Sequence, residues 1–297
     1  MKMKISFVDL HAHGMGPYDT RTKNPELVLR MARLHEEKGT GLIYPAIYPA
    51  DTEAMRAQMR AVKEAMAEME QEKGKRKEKQ KKGRIKIGGV NLEGPFLNPS
   101  RCGALDGASF KNATLANLRK LIGGFEDIIR IITIAPELPG ALKLIERCAE
   151  LDIRVNMGHS DATLKEAVEG KRAGAAGVTH LFNAMRPFHH REPGLAGFAL
   201  LDDDIYVEVI ADGVHLSPDT LALVFKVKRP ERIILVSDAV KGGKGGKPVY
   251  KSKSVLAGGG MAISECAAML KRKLGVGDRL LKLWGRENAL RYMGQAL

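Results

Sequence analysis

Phe7-Val8-Asp9-Leu10-His11-Ala12-His13-Gly14 is an apolar run that ends in two histidines one residue apart. Alternate side chains of a β-strand share a face, so in a strand His11 and His13 converge and can hold one metal ion. Two partly exposed histidines at a strand end look the same in sequence. The reading therefore rests on what the other strands bring to the same place.

Working outward, apolar strand-like runs alternate with helical ones. Predicted strands cover 4–10, 42–47, 85–92, 128–135, 153–157, 177–179, 205–210 and 232–236. The intervening stretches carry helix signals: Asn24-Pro25-Glu26 opens one helix that Gly39 stops, and Ser217-Pro218-Asp219 opens another. The long polar helix over 51–73 spaces Met55, Met59, Val62, Met66 and Met69 as a packing face. Eight βα units in 297 residues predict an α/β fold, a (β/α)8 TIM barrel of the metal-dependent hydrolase type. No Gly-x-Gly-x-x-Gly turn follows the first strand, which argues against a dinucleotide-binding sheet. The expectation is a single barrel over 1–297, with helices over 263–273 and 278–293.

Composition narrows the class. No run of eighteen apolar residues and no signal-peptide core occur, so the expected location is cytoplasmic, without a membrane partner. Cys102, Cys148 and Cys266 are widely spaced and odd in number, as expected of reduced thiols rather than a disulfide framework or a cysteine zinc site. The net charge of +13 is concentrated between Lys73 and Lys86, which carry a surplus of eight positive charges. With no aromatic residues interleaved for base stacking, this stretch reads as a solvated loop and argues against nucleic acid.

A barrel gathers its C-terminal strand ends at one mouth. There this sequence places His11 and His13 (strand one), Glu93 (three), His159 (five), His180 (six), His215 (seven) and Asp238 (eight), including five of its eight histidines. Imidazole and carboxylate donors together suit a divalent metal, zinc or iron.

These residues sit in segments that resemble the amidohydrolase superfamily, and within it the N-acetylglucosamine-6-phosphate deacetylase family. The matching stretches are Val-Asp-Leu-His-Ala-His-Gly (8–14), Asn-Leu-Glu-Gly-Pro-Phe (91–96), Thr-Ile-Ala-Pro-Glu (133–137) and Met-Gly-His-Ser-Asp-Ala-Thr (157–163). They continue with Thr-His-Leu-Phe-Asn-Ala-Met (179–185), Arg-Glu-Pro-Gly-Leu-Ala-Gly (191–197), Ile-Ala-Asp-Gly-Val-His (210–215) and Val-Ser-Asp-Ala (236–239). The resemblance implies a hydrolase of linear amides in amino sugar metabolism, a deacetylase of an N-acetyl amino sugar 6-phosphate. It implies metal ligands His11, His13, Glu93, His159, His180 and Asp238, with Glu93 bridging where two ions bind and Asp238 as general base and acid. Members with histidines at the strand-one pair hold two ions and members with amides hold one, so one or two ions per chain are expected, with two favoured here. Substrate contacts carried over are Asn183, Ala184 and His215, the loop residues Ala104 and Leu105, and Arg191 reaching a neighbouring subunit's phosphate site, which implies a homodimer.

Two departures stand out. The family's accessory β-sandwich has few residues to build it here, so it is expected to be absent or reduced to a β-hairpin remnant within 245–260. Where the family usually has a substrate-contacting histidine after Gly-Ala, this chain has Leu105, which cannot donate a hydrogen bond; a lost bond of that kind costs about 1 to 3 kcal/mol. Two other readings stay open. One is another amide or cyclic-amide hydrolase of the superfamily, dihydroorotase-like, although that group bridges its metals with a carboxylated lysine rather than a glutamate. The other is a catalytically weak barrel that binds sugar or metal.

Overall fold

A computed structural model describes residues 6–74, 85–243, 247, 249–252 and 255–297. The basic stretch between Lys73 and Lys86 falls largely outside these residues. Strands β1 (Phe7–Ala12), β2 (Thr40–Ile47), β3 (Val90–Leu92), β4 (Ile129–Ile134), β5 (Arg154–Met157), β6 (Gly177–Val178), β7 (Tyr206–Ile210) and β8 (Ile233–Val236) lie in chain order. Each runs parallel to the next. One helix follows each strand: α1 (Pro25–Glu37), α2 (Thr52–Gly74), α3 (Leu115–Ile122), α4 (Ala141–Glu150), α5 (Leu164–Arg172), α6 (Gly194–Leu201), α7 (Pro218–Val227) and α8 (Ile263–Leu274). This is the expected (β/α)8 barrel, with the helix starts where the cap residues place them. Asn24, Thr114, Thr163 and Ser217 each accept a backbone N–H from the first turn of the helix they precede.

The barrel closes at its C-terminal rim. Ala12 bridges Ala239 in parallel, Ala239 O accepts from both His13 N and Gly14 N, and Asp238 N donates to His11 O at 2.9 Å. The seam between the first and last strands is thus made by the residues that carry the candidate chemistry. At the other end, Val8, Leu10, Tyr44, Ile131, Ile210, Ile234 and Val236 fill the lumen together with Ala289, Leu290 and Tyr292 of the C-terminal segment. That segment, expected as one helix, runs from Asp278 to Tyr292 with a π turn at Leu283–Glu287, and Asn288 Nδ2 ties it to Pro230 O and Ile233 O.

The third strand is shorter than its apolar run suggests. Lys86–Ile87 pairs with β2 as a separate piece, and β3 resumes only at Val90. The Tyr44 ring occupies the space that a Cβ on Gly88 would need, with Cζ 2.5 Å away, and Gly89 sits at φ +141°. Only glycine accepts both conditions, so the strand breaks there. Within the stretch expected to hold a hairpin, Val249–Tyr250 and Leu256–Gly258 form an antiparallel pair. Among the described residues no helix is long and apolar enough to cross a membrane.

Lys228, where α7 ends, is buried, and its ammonium donates to Ala199 O and Asp202 O at the end of α6. Burial pushes its pKa down to about 8, only partly offset by the charge of Asp202. Between pH 8 and 10.5 the unfolded chain holds a proton that the folded protein has given up, so this group makes stability rise with pH across that window and weighs against folding below it. The thermal midpoint of wild type relative to Lys228→Met is therefore expected to climb as pH is raised from 8 to 10.5, measured by calorimetry. A difference that stays constant with pH would show that the ammonium is not desolvated.

Candidate active site

Strand geometry alone does not aim His11 at the mouth. Val8 and Leu10 face the lumen, and Asp9 faces the helix layer, where its Oδ2 lies 3.9 Å from His35 Nδ1 of α1. Strict alternation would send His11 the same way as Asp9. The β1–β2 pairing instead shifts register between Asp9 and Ala12. Such an irregularity re-aims a side chain, and His11 enters the lumen with no exposure to solvent. His13, two residues on, arrives on the same side.

Glu93, one residue past β3, takes the centre. Its Oε1 lies 3.5 Å from His11 Nε2, 3.2 Å from His159 Nε2 and 3.1 Å from His180 Nε2, and its Oε2 lies 3.1 Å from His13 Nε2. The imidazoles also meet in pairs, His11 with His13 and His159 with His180, each with Nε2 to Nε2 at 3.2 Å. Two imidazole nitrogens that close need a proton or a cation between them, since two lone pairs repel. Among the described residues, His11–His13–Glu93 and Glu93–His159–His180 are the two groups, all buried, whose donor atoms lie close enough to share an ion.

The rings are aimed by what their other nitrogens touch. His13 Nδ1 donates to Ala46 O at 3.0 Å, His159 Nδ1 to Arg101 O at 2.9 Å, and His11 Nδ1 faces Glu208 Oε2 at 3.2 Å. A proton held on Nδ1 leaves the Nε2 lone pair turned inward. His180 Nδ1 alone has no partner. The Tyr48 ring stacks on His13 with centroids 3.7 Å apart, which fixes the plane of that ring.

Burial lowers the pKa of His11, but the hydrogen bonds to Glu208 and Glu93 and the nearby carboxylate charges outweigh it and raise the net value well above the usual imidazole range. His180 is raised by the same balance, with Glu93 as its main partner. Burial works to raise Glu93, but the charge of His13 and the imidazole bonds hold it well below the usual carboxylate range. Each direction describes the same condition: a buried anion surrounded by groups that favour positive charge.

The backbone is strained at these positions. His159, His180 and Asp238 adopt φ of +47°, +27° and +45°, and Ala184 adopts +51°. Left-handed backbone costs a side-chain-bearing residue about 1 to 2 kcal/mol, and such strain concentrates where geometry serves function. Asp238 Oδ1 looks across at His11 Nε2 and His13 Nε2 from 3.7 and 3.6 Å.

Above the cluster is a cavity of about 260 Å³ lined by His13, Glu93, His159, His180 and Asp238, and by Tyr48, Asn183, Ala184, His215, Gly103, Ala104 and Leu105. Residues 255–258 complete its wall. His215 is oriented by Asp212, whose Oδ2 accepts its Nδ1 at 2.7 Å. Lys251 Nζ donates to Ala104 O at 2.9 Å and Leu105 O at 3.4 Å, tying the 249–258 pair to the loop after β3. Of the residues expected from sequence, His11 lies beneath the cavity and Arg191 lies away from it, exposed, with Nη1 2.9 Å from His190 Nε2.

Sequence reasoning missed Tyr48 and Glu208. Tyr48 carries no local signal. Glu208 does carry one: it is a lone acid in the apolar run Ile205–Ile210, where an unpaired charge would be costly.

No family model matches the chain. N-acetylglucosamine-6-phosphate deacetylase of Bacillus subtilis (strain 168) is 38% identical over 177 residues, which are 59% of this chain and 45% of that protein. N-acetylgalactosamine-6-phosphate deacetylase of Escherichia coli O157:H7 is 29% identical over 236 residues, covering 80% and 59%. In structure, an N-acetyl-D-glucosamine-6-phosphate deacetylase mutant from Mycobacterium smegmatis, in complex with N-acetyl-D-glucosamine-6-phosphate, matches 98% of this chain and 77% of its own with a TM-score of 0.87 at 26% identity. The barrel is homologous to that of the N-acetylglucosamine-6-phosphate deacetylases. The chain spans about half the length of the curated relatives it matches. The structural match extends over nearly all of this chain.

Adding zinc to metal-stripped protein is expected to raise the thermal midpoint by about 5 °C or more at about a hundredfold excess over Kd. Glu93→Ala, which removes the anion all four imidazoles share, is expected to show almost none of that rise. Equal shifts in both proteins, followed by calorimetry, would place the zinc elsewhere.

Proposed function

We propose that this barrel hydrolyses the amide C–N bond of an N-acetyl amino sugar 6-phosphate, releasing acetate and the free amine, with one or two divalent ions held by His11, His13, Glu93, His159 and His180. The observation that carries the reading is the convergence of four imidazole Nε2 atoms on one buried carboxylate, with Asp238 facing them across the same cavity. The donor set fits zinc or iron: three of the four rings are aimed by partners on Nδ1, and the paired Nε2 contacts need a proton or a cation between them. The homologous barrels belong to proteins named for this deacetylation, on N-acetylglucosamine 6-phosphate and N-acetylgalactosamine 6-phosphate.

When bound, a divalent ion acidifies water and polarises the amide carbonyl. The protein's own groups then have defined tasks. Asp238 borders the cavity with its carboxylate only 12% exposed, placed to take a proton from the attacking water and return it to the leaving nitrogen. His215, held by Asp212, presents Nε2 to a sugar hydroxyl or the carbonyl. Asn183 turns its amide nitrogen back onto His180 O and Leu181 O, which directs its Oδ1 as an acceptor. Among the described residues lining the cavity there is no arginine or lysine. The phosphate partner is therefore assigned to Arg191 of a second copy of this chain, whose guanidinium matches phosphate in two-point geometry. Leu105, with Ala104, makes one wall apolar, so the sugar face packed there has no hydrogen bond to that loop position.

Asp238→Asn is expected to lower kcat by about 10²-fold or more, the scale of general acid–base catalysis, with metal content retained. Retention of most of the activity would remove Asp238 from the proton-transfer role. In an assay for free amine over N-acetylated hexosamines with and without a 6-phosphate, the phosphorylated substrates are expected to be preferred, and Arg191→Ala to abolish that preference by raising KM. Indifference to the phosphate would overturn the substrate assignment while leaving the amide hydrolysis intact.

A further inference from the structure

Glu208 is a buried carboxylate on β7, beneath the cavity and outside the proposed donor set. Both of its oxygens are committed. Oε2 faces His11 Nδ1 at 3.2 Å, and Oε1 accepts from Asn156 Nδ2 at 2.8 Å. Asn156 is fixed in turn because its Oδ1 accepts the hydroxyl of Tyr292, from the segment that plugs the barrel. The carboxylate therefore has no rotational freedom. Its only ion pair among the described residues is to His11.

A buried carboxylate with no lysine or arginine partner weighs heavily against folding. An imidazole offsets that most when it carries positive charge, supplied by a second proton or by a cation on its other nitrogen. The contrast with the neighbouring rings is specific: His13 and His159 are aimed by neutral backbone carbonyls and His180 Nδ1 by nothing, whereas His11 alone is backed by an anion.

We propose that Glu208 is the positioning residue for the His11–His13–Glu93 half of the site: it holds the Nδ1–H of His11 so that Nε2 stays aimed at an ion of its own, distinct from one held by Glu93, His159 and His180. The inference rests on the metal-binding reading above. It assigns the second ion position to a relay, Tyr292–Asn156–Glu208–His11, that crosses the barrel from its plugged end to its mouth.

The test uses zinc itself on the full chain. Metal-stripped wild type, Glu208→Ala, Glu208→Gln, His11→Ala and the His11→Ala/Glu208→Ala double variant are titrated with Zn2+ against a chromogenic chelator, with bound zinc counted by elemental analysis. Wild type is expected to take two zinc ions. Glu208→Ala is expected to weaken one of them by about 10- to 100-fold, the usual scale for an outer partner of a metal-bound histidine. Glu208→Gln, which keeps an acceptor for Nδ1–H, is expected to recover most of that loss. In the His11→Ala background, Glu208→Ala is expected to change zinc affinity by less than about twofold, because its partner is already gone. Unchanged affinity in Glu208→Ala, or an equal loss with and without His11, overturns the proposal. If His11→Ala binds two zinc ions as tightly as wild type does, His11 is not a ligand and this proposal fails; if wild type itself binds only one, this proposal and the two-ion reading both fail, while binding by Glu93, His159 and His180 leaves the single-ion reading standing. Should Glu208→Ala not fold, 15N-histidine NMR of zinc-loaded wild type decides the matter. The expected signature is a His11 Nδ1 that carries a proton and an Nε2 that does not, and the opposite pattern refutes it.

Discussion

One carboxylate, Glu93, lies within 3.5 Å of four imidazole nitrogens, almost fully buried at the floor of the cavity. Everything around it follows from keeping that arrangement in register. An anion there is poorly solvated, so its stability depends on the rings around it presenting positive charge. The rings in turn are useful only if they cannot swing away. The barrel answers both needs by bringing them from strands one, three, five and six, whose ends are fixed relative to one another by a parallel ladder. A site on independently moving loops would let like-polarity lone pairs separate rather than share an ion.

Much of this was legible from residue order. The apolar runs and their spacing gave the barrel, and the chemistry-bearing residues stood where each run ended, because a barrel strand must stop where its side chains meet solvent. Asn24 and Ser217 announced their helices through side-chain chemistry that acts within a few residues. The family resemblance rested on the same strand-end segments, and the homologous barrels agree with it.

What was not legible depends on contacts remote in sequence. Nothing near Gly88 shows that the Tyr44 ring will occupy the space beside it and split the third strand. The carbonyls of Ala46 and Arg101 aim His13 and His159, yet every residue has a carbonyl and none is marked. Simple alternation along β1 would even have misdirected His11, since the pairing with β2 shifts register after Asp9. Glu208 was visible as an anomaly in an apolar strand, but its partner lies 197 positions away.

The plug at the bottom of the barrel has a consequence for the order in which the molecule can be made. Tyr292 belongs to the last helical turn, and it holds Asn156, which holds the carboxylate behind His11 near the start of the chain. During synthesis the first strand leaves the ribosome with its histidines long before their support exists. The other strands can assemble around them, but the lumen is filled below only when Ala289, Leu290 and Tyr292 have been added. The support behind His11 is therefore completed only when Tyr292 docks, whereas His13 is held by Ala46 and Tyr48, close to it in sequence.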